Sequence, residues 1–226
     1  RRVLFKHHPN IQAYLSIHRT LASAASSNRD YRIALSSEKT LQLELSGPNF
    51  NLLSFTEEKI SDLYLGWLND PEVNRYLEIR FVPQTRDTVT EYVRSFYAGK
   101  EAYMWGIYPN GKDQPVGTTT LQGINRNHDS AGIGLMIGNK EYWGSNCALE
   151  ALGLVTDFAF ETLGLRRMAL ETSGPNHSIN FTLRRFGFTL EGKMRQASVI
   201  GPGEYCDGYR WGLLVDEWRA KYKSGS

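Results

Sequence analysis

Residues 133–151 read IGLMIGNKEYWGSNCALEA, and this stretch decides the fold. A short apolar run ends at Gly138. A polar loop follows, holding Trp143, Gly144, Ser145 and Asn146. A helical pattern then begins near Cys147 and carries Ala148, Leu149, Ala151, Leu152 and Leu154. Strand, small-residue loop and helix start make a phosphate-binding arrangement. The first-turn N–H groups have no partner within the helix, and the helix dipole favours an anion beside them. The loop is not a Walker loop, since no Gly-Lys-Ser/Thr closes it, and it is not G-x-G-x-x-G.

Downstream, residues 167–172 (RMALET) show a strand pattern, and residues 176–188 (NHSINFTLRRFGF) a short helix ending in Gly-Phe. Upstream, Gly47-Pro48 breaks the chain. Residues 49–55 read as the first core strand. Thr56 is the N-cap candidate of a helix running to about Asn69, with Ile60, Leu63, Leu65, Trp67 and Leu68 buried in part. A turn at Asp70-Pro71-Glu72-Val73 leads to a second helix from Thr85 or Asp87 to Gly99, with Val89, Tyr92, Val93 and Phe96 on one face. Strands are expected over 103–108, 116–122 and 131–137, then a helix over 147–163, a strand over 167–172 and a helix over 178–185. Two final strands, 188–191 and 205–214, form an antiparallel hairpin around Gly201-Pro202-Gly203. This order predicts an α/β protein with a mixed sheet.

In order, spacing and residue type the chain resembles the GNAT superfamily of acetyl-CoA-dependent N-acetyltransferases. Within it, the ribosomal-protein-alanine and nucleotide-sugar branch is the nearest. The resemblance rests on Ile137-Gly138, on the run from Trp143 through Gly144, Glu150 and Ala151, on Leu163-Gly164-Leu165-Arg166, and on Asn176 with Gly187-Phe188. It covers residues 49–219 and implies a mostly antiparallel central sheet splayed at its middle strands, flanked by about four helices, with the cofactor in the gap. It also implies roles. The N–H groups of Gly144, Ser145, Asn146, Cys147 and Ala148 would hold a diphosphate, with Trp143 beside them. The backbone of Met136, Ile137 and Gly138, bulged in the family, would align the pantetheine and thioester. Asn176 would bind cofactor or an ordered water, its competing role being a helix N-cap. Two departures stand out: Asn146 replaces a family Gly, and Leu183 replaces a Tyr that protonates the leaving thiolate.

Candidates for the acceptor side are Glu78 and Arg80, in the loop Tyr76-Leu77-Glu78-Ile79-Arg80-Phe81, and Tyr205 and Asp207 at the start of the last long strand. His128 and His177 read as exposed loop residues, Glu150 as a structural contact, and Cys147 as a small residue filling the helix start. The expected reaction is direct attack of a primary amine on acetyl-CoA, the amine belonging to a small molecule such as an amino sugar nucleotide. A protein N-terminus is the runner-up, and a non-catalytic acyl-CoA-binding domain is the rival.

The 226 residues suffice for one domain and an appendage. Residues 1–48 carry seven Lys/Arg against three Asp/Glu, a net of +4, and the remainder carries 19 against 21, a net of −2. Nucleic acid is therefore not an expected partner. Residues 1–48 read as a loosely docked, partly helical arm, with helical spacing over 11–25, a linker over 23–30, and alternating Leu41, Leu43 and Leu45 that allow an extra strand. Residues 220–226 read as a tail. Two cysteines make no disulfide framework, so a reducing, cytoplasmic setting is the expectation. No apolar run predicts a membrane span or a leader. No His/Cys/carboxylate cluster has metal-ligand spacing. A monomer or homodimer is expected.

Overall fold

The computed structural model describes residues 31–35, 41–97 and 101–223. The helix expected over 11–25 and the linker over 23–30 lie outside these residues. The strands are β1 (Tyr31–Leu35), β2 (Leu41–Ser46), β3 (Phe50–Ser54), β4 (Tyr103–Pro109), β5 (Gly117–Asn125), β6 (Ser130–Ile137), β7 (Arg167–Ser173), β8 (Thr189–Gly201) and β9 (Glu204–Leu214). The α-helices are α1 (Asp62–Asn69), α2 (Arg86–Ser95), α3 (Cys147–Asp157), α4 (His177–Phe186) and α5 (Val215–Tyr222). The strands join in one sheet, ordered β1-β2-β3-β4-β5-β6-β7-β9-β8.

Neighbouring strands are antiparallel except β6 and β7. That parallel pair holds together through Ser130↔Arg167, Ala131↔Met168 and Gly132↔Ala169, and then parts. β6 stays with β5 as far as Ile137, and β7 stays with β9 as far as Ser173. The sheet thus splays in its middle. Successive residues of a strand turn their N–H and C=O groups to alternate edges, so residues 133–137 and 170–173 present backbone polar groups to the gap.

Period-2 alternation divides the core. Tyr103, Trp105 and Ile107 of β4 join one cluster, with Leu152, Val155 and Phe158 of the α3 segment and Trp211 of β9. Met104 of the same strand and Met136 of β6 join the other, with Phe55, Tyr64, Trp67, Val89 and Val93 around α1 and α2. The two helix pairs therefore cover opposite faces of the sheet.

Several boundaries differ from expectation. Thr56 starts no α-helix: a single 3-10 turn, Glu57–Lys59, intervenes, and Ser61 caps α1 by accepting from the Tyr64 amide at 3.2 Å. Leu63 and Tyr92 are exposed rather than buried. After Asp157, α3 gives way to one π-type turn, Phe158–Thr162. β8 runs far beyond the expected strand, and β9 is followed by α5, a helix absent from the expected order, whose last residues enter the expected tail. Trp218 is α5's one buried residue, too sparse an anchor to leave a periodic pattern. At the N-terminal side, β2 pairs with β3 and buries Leu43 and Leu45, so the sheet does not end at residue 48. The Gly187-Phe188 motif closes α4: the Gly187 and Phe188 amides both donate to the Leu183 carbonyl, at 3.0 and 2.9 Å, and Phe188 is buried.

Glu150 ties α3 to the sheet. Its Oε1 accepts from the Asn49 and Phe50 amides at 2.8 and 2.9 Å, and its Oε2 accepts from Asn49 Nδ2 at 3.1 Å. Glu150→Ala strands those amides and is expected to cost about 1–2 kcal/mol, a fall of several degrees in Tm. A calorimetric scan matching the parent would show the contact to be idle.

Candidate active site

The gap between β6 and β7 runs toward the start of α3, and the loop between β6 and α3 closes it. Lys140–Tyr142 forms a 3-10 turn, and its continuation reverses at Gly144, whose φ of +73° is left-handed. A side chain is poorly tolerated in that conformation. The Ser145 amide donates to the Tyr142 carbonyl at 3.3 Å, and the Cys147 amide to Ser145 Oγ at 3.2 Å. Among the described residues, no group accepts from the amides of Gly144, Asn146, Ala148 or Leu149. These four amides are the unpaired donors at the helix start, a set that omits two of the expected donors, Ser145 and Cys147, and adds Leu149.

Asn146 does not take the positive φ of a replaced Gly; it sits at φ −78°, and Gly144 alone makes the left-handed bend in this loop. Its side chain turns outward, Oδ1 accepting from Arg185 Nη1 of α4 at 3.3 Å. Trp143 is exposed at its ring, and its Nε1 donates to the Ile137 carbonyl at 2.8 Å. Lys140 lies 5.8 Å from the centre of that ring. Its ammonium also pairs with Asp70 at 2.8 Å and Glu72 at 2.6 Å, linking this loop to the turn after α1. The sequence held no signal for that bridge, because its partners are far apart in the chain.

The strand end differs from expectation. Gly138 and Asn139 both donate to the Val116 carbonyl at 2.9 Å, a bulge-like doubling just past β6. The Gly138 amide is therefore engaged. Its missing side chain serves packing instead: a Cβ there would lie 2.1 Å from Cδ2 of Trp67. Met136 is buried in the α1–α2 cluster, and Ile137 packs on the opposite core.

Cys147 is fully buried. Desolvation, with the Glu150 carboxylate adding to it, pushes its thiol up to about 12. It stays a neutral thiol at physiological pH, so it is packing and not a nucleophile.

On the other arm of the gap, Asn176 follows β7 and opens α4. Its side chain caps nothing, although it occupies the N-cap position. Asn180 holds the loop instead. It is buried, donates to the Ser173 and Gly174 carbonyls at 3.1 and 3.0 Å, and accepts from Thr172 Oγ1 at 2.5 Å. Trp211 Nε1 completes that chain by donating to Thr172 Oγ1 at 3.0 Å. Among the described residues, the half-buried Asn176 side chain has no hydrogen-bond partner. Leu183 is wholly buried.

The acceptor candidates gather around the β8–β9 hairpin. Arg80 donates to the Leu77 carbonyl at 2.9 Å and to the Val199 carbonyl of β8, and its guanidinium lies 4.4 Å from the Phe81 ring centre. Val199 pairs in register with Tyr205, which is 62% exposed. Glu78 is exposed in the same turn as Arg80. Among the described residues, neither Glu78 nor Arg80 has an ionic partner. Asp207 does have one. It pairs with Lys193 at 2.8 Å and accepts from the Gln196 amide at 2.9 Å. The Lys193 hydrogen bond holds its carboxyl below the usual carboxylate range, making Asp207 a weak base. His177 is exposed, and so is His128.

No helix among the described residues is long and apolar enough to cross a membrane, and no group of three or more His, Cys, Asp or Glu there could hold a metal ion.

A gap lined by strand edges and closed by unpaired amides of a helix start suits an extended ligand that ends in a phosphate group. The family model for an acetyltransferase (GNAT) domain matches residues 49–189. The chain belongs to this family, and is an acetyl-CoA-dependent N-acetyltransferase. It is 26% identical over 147 residues to the uncharacterized N-acetyltransferase YoaA of Bacillus subtilis (strain 168), covering 64% of this chain and 82% of that one. It is 27% identical over 111 residues to the spermidine N(1)-acetyltransferase of Escherichia coli (strain K12), covering 49% and 59%. Its fold matches that of RimL, a ribosomal L7/L12 alpha-N-protein acetyltransferase, with a TM-score of 0.67 at 18% identity over 81% of this chain and 100% of that one.

Proposed function

We propose that this chain moves the acetyl group of acetyl-CoA to a primary amine on a small molecule bearing an anionic group, an amino sugar nucleotide being the model acceptor. The β6–β7 gap, ending at the amides of Gly144, Asn146, Ala148 and Leu149, carries the donor half of this reading. Those amides take the diphosphate, the open edges of β6 and β7 take the pantetheine, and the Asn176 side chain takes a polar group of the donor. Arg80 supports the acceptor half. A guanidinium that has no ionic partner among the described residues, set in the acceptor loop, favours a phosphate and disfavours a polyamine. Glu78 in the same turn takes a proton from the acceptor's amino group so that the free amine can attack, the role that Asp207 fills poorly.

Thiol release from acetyl-CoA, measured against an amino sugar nucleotide, a polyamine and a peptide with a free N-terminus, tests the reading. Fastest turnover on the nucleotide is expected. Turnover confined to the peptide would shift the acceptor to a protein N-terminus, and CoA binding with no turnover on any amine would leave a non-catalytic acyl-CoA-binding domain. Asn176→Ala is expected to raise the KM for acetyl-CoA or lower kcat about tenfold, a loss of about 1.4 kcal/mol. Since Asn176 caps nothing, its Tm stays near the parent's; unaltered kinetics would return the residue to a passive role.

A further inference from the structure

Where the resemblance implies a tyrosine as proton donor, this chain has the wholly buried Leu183, which cannot donate. The departing thiolate then needs a donor from elsewhere. The loop between β7 and α4 lies at the open end of the gap, beside Asn176. One phenol reaches it from the acceptor side: the half-buried Tyr76, whose hydroxyl donates to the Pro175 carbonyl at 3.4 Å. That carbonyl already accepts the His177 amide at 2.8 Å. The tyrosine is its second and longer partner, and a hydrogen bond of this length is worth little. The hydroxyl is thus held one residue from Asn176 yet weakly committed. The remaining acids nearby fit less well. His177 is exposed. Tyr209 lies under the loop, its ring within 3.3 Å of a Cβ built at Gly174. It belongs to the packed α3–α4 core, whereas the acceptor loop approaches from its own side of the gap.

We propose that Tyr76 is a catalytic residue of this enzyme, the proton donor to the departing CoA sulfur. This rests on the function proposed above. The amine nitrogen forms its bond to the thioester carbon and loses a proton to Glu78 or to water. When the C–S bond breaks, its electron pair goes to sulfur, and sulfur takes the Tyr76 hydroxyl proton. The phenolate regains a proton from water. The products are the acetylated amine and CoA thiol, with no net proton gained or lost by the protein. A thiolate leaves with little help, so the effect falls at the small end for general acids.

Tyr76→Phe and Tyr209→Phe, each retaining the ring, separate the possibilities, with the best amine of the panel as acceptor. Tyr76→Phe is expected to lower kcat about 100-fold, to leave CoA affinity by calorimetry and Tm unchanged, and to remove most of the solvent deuterium isotope effect on kcat that proton transfer to sulfur produces. Unchanged kcat overturns the proposal, as does a kcat loss that keeps the isotope effect, which would make Tyr76 a mere latch. The same losses in Tyr209→Phe alone overturn it too. A wild-type chain that binds no CoA sinks the site itself, a failure visible before any variant is compared.

Discussion

Gly144→Val is expected to raise the KM for acetyl-CoA at least about tenfold, while the fold survives. Gly144 holds φ +73° in the loop before α3, and nothing lies within 4 Å of a Cβ built there. Space is therefore not the obstacle. The backbone conformation is, because a left-handed residue with a side chain costs about 1–2 kcal/mol, and a β-branched one fares worst. The loop relieves the strain by turning back to negative φ. That rotation swings the amides of Gly144 and Asn146 away from the gap and blurs the anion site. Calorimetric titration with CoA reads the loss, and circular dichroism checks the fold. Full CoA affinity in this variant would place the diphosphate elsewhere and remove the physical basis of the site.

Gly138→Ala should act on stability rather than affinity. The added Cβ would sit 2.1, 2.3 and 2.5 Å from Cδ2, Cε3 and Cγ of Trp67. These atoms lie near the stem of a buried indole that also packs edge-on against Tyr64, with ring centres 6.4 Å apart. The ring cannot swing clear, so α1 must move off the sheet. Overpacking of this kind costs about 1–3 kcal/mol, and about 2–4 °C in Tm per kcal/mol for a chain of this size. Combining it with Trp67→Leu should restore part of the loss, since the two residues touch and their effects will not add. Strict additivity would mean that the collision is relieved by other means. The result bears on function, because α1 leads into the turn whose Asp70 and Glu72 hold Lys140 of the cofactor loop.

Local pattern alone reached much of this molecule. Residues 133–151 announced a strand, a loop and a helix start, and β6 and α3 stand there. The strand over 103–108 stands as read, and of the two starts offered for the second helix Thr85 is its N-cap, since each is decided by neighbours a few positions away. The errors share one cause. Thr56 looked like a cap and is not, because the chain makes a 3-10 turn before Ser61 takes that task. α5 left no periodic trace because one tryptophan anchors it. At Gly138 no local pattern signalled that the missing side chain makes room for the Trp67 indole.

The site divides along the same line. The amides of the helix start and the position of Asn176 ahead of a second helix follow from sequence, because a helix terminus carries its unpaired groups wherever it lies. Only the folded chain could decide that Asp207 is taken by Lys193, that Asn146 faces Arg185, that Lys140 reaches across to Asp70 and Glu72, and that the Tyr76 hydroxyl arrives beside Asn176. Each of these contacts joins residues distant along the chain or paired across strands. Sheet register and helix packing bring them together, and register is a property of the whole structure that no single segment encodes.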